Sequence, residues 1–489
     1  MLSIILSRIN ILELLLEGIE ASVINFSDID KIKGRLDSEY YRKEDLVLEK
    51  ALYKIGSITL NKTNAVLDCS AFYPSITDHY NFDGQGIPFL RVNEIKGGLV
   101  KIDKKTAFLP QSILSANANT IAIAYPGDIL IAKGGNTLAK VGIVPDSYKK
   151  FAISRDLIIL RTDKLVGHGK YFLWLFLHSK YGQRVMWRTA SQTGQPHLTL
   201  PSIAELPVPK CSTKFEEMIG VYYTKFLEFS DLHMHLYQEA NNFLLKALDL
   251  SSYIPENRLF NIKLKSSSFL ETGRLDAEYY QSKFEVLLAH IRHLNYLKLS
   301  EIVDIYKSIE PGSDAYLEEG IPFIRVADIN EFGLNEPSIH LDNEIYRDVI
   351  RPTKNTILLT KDGSVGIGYY LTEDLNAITS GAILHLRMKN DAVLPQYLTL
   401  VLNSIVVKMQ AERDAGGSII QHWKPSEIEE VLIPILSNEQ QRTICDLLEK
   451  SFKYKNLSIN LLDCMKEAVE MVVEYNESVA IDFLKEATK

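Results

Sequence analysis

Hydrophobic positions along the chain alternate between two kinds of stretch. Short apolar runs ending in glycine-bearing turns, such as Ile129-Leu130-Ile131-Ala132 before Lys133-Gly134-Gly135 and Ile357-Leu358-Leu359 before Thr360-Lys361-Asp362-Gly363, read as buried strands. Longer proline-poor stretches, Phe215 to Leu250 and Glu439 to Lys485, carry apolar residues at helical spacing. Leu227, Leu232, Leu236, Phe243 and Leu244 mark the first stripe, and Ile444, Leu447, Leu448, Phe452, Ile459 and Leu462 the second. A helix unbroken from Phe215 to Leu248 spans about 50 Å. The apolar N-terminus, Met1 to Ile24, is interrupted by Arg8, Asn10, Glu13, Glu17 and Glu20, which suits a helix packed on protein and not a membrane span.

These elements occur twice, in the same order. Gly34-Arg35-Leu36-Asp37-Ser38-Glu39-Tyr40-Tyr41 returns as Gly273-Arg274-Leu275-Asp276-Ala277-Glu278-Tyr279-Tyr280. Gly86-Ile87-Pro88-Phe89-Leu90-Arg91-Val92 returns as Gly320-Ile321-Pro322-Phe323-Ile324-Arg325-Val326, and the Gly127 to Gly135 segment as Asn355 to Gly363. Ala152-Ile153-Ser154 with Ile158-Ile159-Leu160-Arg161 pairs with Ala377-Ile378-Thr379 and Leu384-His385-Leu386-Arg387. A polar loop and short strand, Gly194 to Pro209, match Gly416 to Pro434, and each copy is followed by one of the long helical stretches. The expected architecture is therefore α/β (α+β): two similar globules separated by a long antiparallel helical pair, a coiled-coil spacer. Its divisions are an N-terminal helical segment with the first motif (1–50), a first globule (51–210), a central helical spacer with the second motif (211–295), a second globule (296–436) and a C-terminal helical spacer (437–489).

Composition narrows the functional classes. At 489 residues the chain is too long for one ordinary core. Its four cysteines, Cys69, Cys211, Cys445 and Cys464, form no C-x-x-C pair, so neither a zinc ribbon nor a redox motif is written here and a cytoplasmic setting is expected. A net charge of -8 argues against a uniformly basic nucleic-acid binder. The charge is uneven, however. Residues 51–210 hold 19 Lys and Arg against 10 Asp and Glu, whereas 296–436 hold 12 against 21.

A duplicated module on a rigid spacer suits a target with two sites at a set distance, and duplex DNA, with a turn of about 34 Å, is such a target. Lys133 and Lys361 follow a strand in equivalent turns and are the first candidates for DNA contact, with Lys140 close by. Lysine in a turn is most often merely solvated, but here it recurs in both copies. The neighbouring Asn136, Thr137, Asp362 and Ser364 suit base edges, where Asn reads adenine and Asp accepts from cytosine N4, although the same residue types also build turns. A second group lies in the donor-rich loops: Arg188, Gln192, Thr193, Gln195 and His197 in the first copy, Ser418, Gln421, His422 and Lys424 in the second. Arg155, paired with about Ser380, is a candidate for making the two targets differ, and Arg351 and Lys354 are candidate phosphate contacts in the acidic copy.

The chain has no Asn/Asp-Pro-Pro-Tyr/Phe motif, no Gly-x-Gly-x-x-Gly and no Walker loop. Glu94-Ile95-Lys96 is replaced by Asp328-Ile329-Asn330 in the second copy, which removes the lysine of a nuclease-like triplet. His233 and His235, two apart on a helix, point away from each other and make a poor metal pair. The Arg-Leu-Asp-x-Glu-Tyr-Tyr motif reads as structural, its charges satisfying one another and its tyrosines anchoring the segment.

The repeated Arg-Leu-Asp-Ser/Ala-Glu-Tyr-Tyr, the Ile-Leu-Ile-Ala-Lys-Gly and Ile-Leu-Leu-Thr-Lys-Asp-Gly turns and the closing Ile-Pro-Ile-Leu-Ser-Asn-Glu-Gln-Gln-Arg-Thr-Ile resemble the specificity subunits of type I restriction-modification systems from roughly Asp30 onward. The resemblance implies two target-recognition domains in pseudo-twofold arrangement, each reading half of a split, asymmetric double-stranded DNA site. It also implies two methyltransferase subunits docked on the helices, two motor-nuclease restriction subunits, no membrane, and no catalytic residue, metal or cofactor in this chain. S-adenosylmethionine, ATP and magnesium belong to those partners. The alternatives are a self-contained DNA-modifying or DNA-cleaving enzyme with an unfamiliar site, and a duplicated protein-binding scaffold.

Overall fold

The computed structural model describes residues 37–165, 169–190, 196–256, 258, 260–416 and 421–487, with Ile24 and Ile29. The apolar N-terminal stretch and the Gly34-Arg35-Leu36 start of the first motif lie outside them. The chain divides into two compact units, one ending at Glu228 and resuming at Leu457, the other Phe229–Asn456.

In the first unit, helix α1 (Lys43–Lys54) leads into strands β1 (Ile58–Thr59), β2 (Val66–Cys69), β3 (Ile87–Leu90), β4 (Ile95–Lys96), β5 (Leu99–Val100), β6 (Ala107–Leu109), β7 (Ile123–Ala124), β8 (Ile129–Ala132), β9 (Val141–Ile143), β10 (Phe151–Ile153) and β11 (Leu157–Arg161). Helices α2 (Gly169–His178), α3 (Lys180–Thr189) and α4 (Leu200–Ala204), strand β12 (Pro207–Val208) and the long helix α5 (Thr213–Ala247) follow. One sheet runs β6-β3-β10-β7 and another β2-β11-β8-β9-β5-β4. All four residues of β8 are buried, which is why this strand is apolar throughout and sits between β11 and β9. β1 pairs antiparallel with β12, Ile58 opposite Val208, so the globule's first and last strands meet.

Helices α2 and α3 form a tight hairpin because Ser179 caps α3, its Oγ accepting from the Gly182 amide at 3.3 Å. At Gly182 a Cβ would run into the Phe176 carbonyl oxygen and lie 2.6 Å from Leu177 Cα. Both obstacles are backbone and cannot swing aside. Gly182→Ala is expected to destabilise the first unit by about 3 kcal/mol, the upper end of overpacking costs, visible as a lowered melting transition by calorimetry.

In the second unit, helix α6 (Ser282–His293) is followed by β13 (Tyr296–Lys298), β14 (Val303–Lys307), β15 (Ile321–Ile324), β16 (Ile329–Asn330), β17 (Gly333–Leu334), β18 (His340–Leu341), β19 (Thr356–Thr360), β20 (Gly368–Tyr370), β21 (Ile378–Thr379) and β22 (Ile383–Met388). Then come α7 (Pro395–Asn403), α8 (Ile405–Asp414), α9 (Pro425–Glu429), β23 (Leu432–Pro434), α10 (Asn438–Glu474), whose residues from Leu457 on belong to the first unit, and α11 (Glu477–Ala487), also in the first unit. Sheet orders β14-β22-β19-β20 and β18-β15-β21 reproduce β2-β11-β8-β9 and β6-β3-β10 strand for strand. The crossover pairs β10 with β3 and β21 with β15 are both parallel, and β13 pairs with β23 as β1 does with β12. The duplication seen in sequence is thus a duplication of topology.

The register corrects one alignment. Ala152 lies opposite Phe89, and Ile378 opposite Phe323. Since Phe89 and Phe323 are equivalent, Ala152 matches Ile378 and not Ala377. Arg155 therefore corresponds to Gly381, one position beyond Ser380.

Within the second unit the long helices run antiparallel. The His233 ring nitrogen Nδ1 lies 2.8 Å from Ser451 Oγ, and the rings of Phe229 and Tyr454 lie 5.6 Å apart. Within the first unit Ser458 Oγ donates to the Phe226 carbonyl at 3.3 Å. α5, with 35 residues, follows the sequence expectation closely. The C-terminal stretch does not: it breaks between Glu474 and Glu477, where the Asn476 side chain accepts from the Val479 amide and starts a new helix. No helix among the described residues is long and apolar enough to cross a membrane.

Candidate nucleic-acid interface

The two groups of candidate contacts, separated by some sixty residues of chain, meet at one lysine in each unit. In the first, β8 ends at Lys133, whose amide donates to the Asp156 carbonyl at 2.9 Å and whose carbonyl accepts from the Leu198 amide at 2.7 Å. Gly134 and His197 form an isolated antiparallel bridge. Gly135, at φ 67°, turns the chain back, and Thr137 Oγ1 donates to the Gly134 carbonyl at 3.2 Å. Asn136 and Lys140 are left exposed. The strand end, the turn carrying Arg155 and the loop carrying His197 thus converge.

In the second unit the same bonds recur. The Lys361 amide donates to the Ala382 carbonyl at 2.9 Å, its carbonyl accepts from the Trp423 amide at 2.8 Å, and Asp362 bridges His422. Trp423, like Leu198 at the matching place, is fully enclosed, so the polar loop is pinned by an apolar anchor. The Gly363 amide donates to the Gln421 carbonyl at 2.8 Å, and Thr360 Oγ1 donates to the Ser364 carbonyl at 2.5 Å.

Side-chain electrostatics separate the copies. Lys361 is buried and its ammonium is paired with Asp362, whose other oxygen lies 2.9 Å from His422 Nδ1. Glycine, Gly134, stands where Asp362 does, and among the described residues Lys133 makes no ion pair. Lys133 therefore presents a positive charge that Lys361 has already spent on a neighbour.

Other candidates fall elsewhere. Arg351 Nη1 donates to Asn376 Oδ1 at 2.6 Å, and the Lys354 amide donates to Asp374 Oδ1 at 2.8 Å. Both precede β19 while Lys361 follows it, so the structure does not bring them into the cluster. Lys424 is exposed at the start of α9, its Nζ 3.8 Å from Glu427. Gln192, Thr193, Gln195 and Ser418 lie outside the described residues. Arg188 is largely enclosed: its Nε donates to the Tyr40 carbonyl at 2.7 Å, its guanidinium lies 4.3 Å from the Tyr40 ring centre, and Nη2 reaches Glu49 at 3.1 Å.

Arg413 holds the same position in the second copy, with its guanidinium 4.9 Å from the Tyr279 ring centre. Arg274 grips Asp276 through two bonds, of 2.9 and 2.7 Å, and its Nη1 donates to the Asp414 carbonyl at 2.8 Å. The Arg274 guanidinium holds the Asp276 carboxyl below the usual carboxylate range. The repeated motif is thus a clamp on the end of α8, as its composition suggested.

The enzyme-like fragments are structural. Buried Glu94 accepts from the Arg91 amide at 2.8 Å and from its guanidinium at 3.0 Å, and Asp328 likewise accepts from the Arg325 amide. His233 is buried against Ser451 while the His235 side chain is exposed. Among the described residues no cluster of three or more His, Cys, Asp or Glu is placed to hold a metal.

Sequence reasoning passed over Phe72 and Tyr73. The Phe72 ring is 78% exposed with the Arg155 guanidinium 5.9 Å from its centre, and the Arg155 amide donates to Tyr73 Oη at 3.4 Å. The signal was faint, a lone aromatic pair ahead of a proline.

The chain is 28% identical over 154 residues to the EcoBI specificity subunit of Escherichia coli, a stretch covering 30% of this chain and 32% of that protein. Among solved structures it is similar to the S subunit of the type I restriction-modification system of M. genitalium, with 15% identity, 88% and 95% of the two chains covered and a TM-score of 0.35. It is also similar to the HsdS subunit of Thermoanaerobacter tengcongensis, with 14% identity, 88% and 96% coverage and a TM-score of 0.26. Residues 294–461 match the family described as the type I restriction modification DNA specificity domain.

Proposed function

We propose that the chain is a non-catalytic DNA-recognition subunit that reads a split, asymmetric double-stranded target, one half with each of two recognition domains, residues 51–210 and 296–436. Helical segments 1–50, 211–295 and 437–489 set the gap and offer docking sites for two methyltransferase subunits, with two restriction subunits joining for cleavage. S-adenosylmethionine, ATP and magnesium are bound by those partners. The observation that carries the reading is the recurrence, around Lys133 and around Lys361, of the same three-way meeting of strand end, turn and histidine-bearing loop. Such loops on a rigid sheet are where variable recognition belongs.

The two lysines play different parts in this reading. Lys133 contacts phosphate directly, supported by Lys140, while Asn136, Thr137 and His197 face the bases. In the second domain Lys361 holds Asp362 and His422 in position, and these, with Ser364, Gln421 and Lys424, face the bases. Arg188 positions the first motif through Tyr40.

Titration of a fluorescent target duplex at several salt concentrations tests this. Lys133→Ala is expected to weaken binding about tenfold on all sequences and to reduce the slope of log K against log salt by about 1. Lys361→Ala is expected to leave that slope unchanged and to relax sequence preference in one half-site. Duplex binding indifferent to salt would reject the phosphate role and return the chain to a protein-binding scaffold.

A further inference from the structure

Arg155 and Phe72 form a surface feature that the second domain replaces residue for residue. Arg155 lies in the β10–β11 turn, and the next residue, Asp156, accepts the Lys133 amide, so Arg155 stands beside the proposed phosphate contact. Its guanidinium lies 5.9 Å from the centre of the Phe72 ring, and its backbone amide is tied to Tyr73 Oη. Phe72 leaves 78% of its surface in water, so its ring is open to a ligand on the same face as Arg155. In the second domain the register puts Gly381 at the place of Arg155. Cys69 lies opposite Ile158 and Lys307 opposite Leu384, which puts Glu310 at the place of Phe72. A Cβ on Gly381 would meet the Glu310 side chain at 2.6 Å, so the two positions touch there too. A cation over an aromatic ring has become a glycine under a carboxylate, the kind of paired change that alters what a surface reads while leaving its backbone intact.

We infer that Arg155, supported by the Phe72 ring, reads a guanine in the half-site of the first domain, and that the second domain makes no such contact. The chemistry is specific. Guanine presents two acceptors, O6 and N7, in the major groove at the spacing of the guanidinium fork, and a flat ring beneath the guanidinium limits its swing while leaving its donors free. Lysine can reach the same acceptors, but from a point charge on a flexible stem, without the planar fork that fixes both bonds at once. Arg155 is thereby a specificity-determining residue, and Phe72 its positioning residue.

The inference rests on the two-part DNA reading above, and the test separates the two. The full-length chain, with type I methyltransferase subunits present, selects duplexes from a randomised library, and the bound fraction is sequenced. The wild-type chain is expected to give a two-part motif with an invariant guanine in one half. Arg155→Ala is expected to lower the preference for guanine at that position roughly ten- to a hundredfold, leaving the other half unchanged. Arg155→Lys should retain the charge and weaken the preference less than Arg155→Ala, and Phe72→Ala should weaken the same position alone. Arg155 is exposed, so the melting temperatures of its variants should match the wild type and report intact folding. An unchanged motif in Arg155→Ala overturns the inference and leaves the two-part reading standing. A uniform loss of affinity with the motif unchanged also overturns it, by making Arg155 a phosphate contact. No two-part motif in the wild type overturns both.

Discussion

Between pH 6.5 and pH 4 the second unit is expected to lose about 3 kcal/mol of stability through one side chain, His385. This residue lies on β22, is 3% exposed, and its Nε2 is 2.7 Å from Thr379 Oγ1. Burial, with the nearby Arg387 charge adding to it, pushes its imidazole down to about 4. In the unfolded chain the same group titrates near 6.5. Within that window the unfolded state binds a proton that the folded state excludes, so stability is complete above the unfolded value and falls as the pH falls. Below the folded value the loss stops growing. His178 in the first unit is likewise held down to about 4, by burial and by Lys466. Calorimetry from pH 7 to pH 4 is the check: His385→Gln should flatten the pH slope of the second unit by about one proton. An unchanged slope would place the acid sensitivity in other groups.

Replacing residues 51–210 with the corresponding domain of another specificity subunit is expected to change one half of the methylated motif completely and leave the other half alone. Two features make the exchange physically reasonable. β1 and β12 pair at the two ends of the segment, so its entry and exit lie side by side. The clamp in the second unit is also made by residues outside the second globule, Arg274, Asp276 and Tyr279, acting on Arg413 and Asp414 inside it. The first clamp is divided the same way, Tyr40 lying outside the exchanged segment and Arg188 within it, so the donor domain must supply arginine at that position. Loss of both half-motifs would show that the two domains do not read independently.

Much of the fold was legible because the repeat is written in apolar strands whose order the second copy keeps. The β8 and β19 runs, the Ile-Pro-Phe strands and the long helix α5 fall where the pattern put them. The failures are local and have causes. Ala377 was matched to Ala152 by identity, but the ladder to β15 aligns Ile378 there, since register follows backbone pairing and not residue type. The break at Asn476 was hidden by an apolar stripe that continues beyond it. In each cluster, sequence alone named the lysine and the histidine, Lys133 with His197 and Lys361 with His422. It had no means of showing that they meet, because the loop reaches the strand end through backbone bonds that leave no mark on side-chain pattern. Nor did it reveal that Lys361 is buried on Asp362, a difference set by one position where the first copy has glycine.

In the proposed function each repeat reads one half of a divided DNA target. Sequencing the methylome of a host that expresses this chain with type I methyltransferase subunits tests it most directly. Chain-dependent methylation is expected at a motif of two unlike specific parts flanking a non-specific gap of constant length. Methylation at a single uninterrupted motif, or a methylome the same with and without this chain, would contradict it.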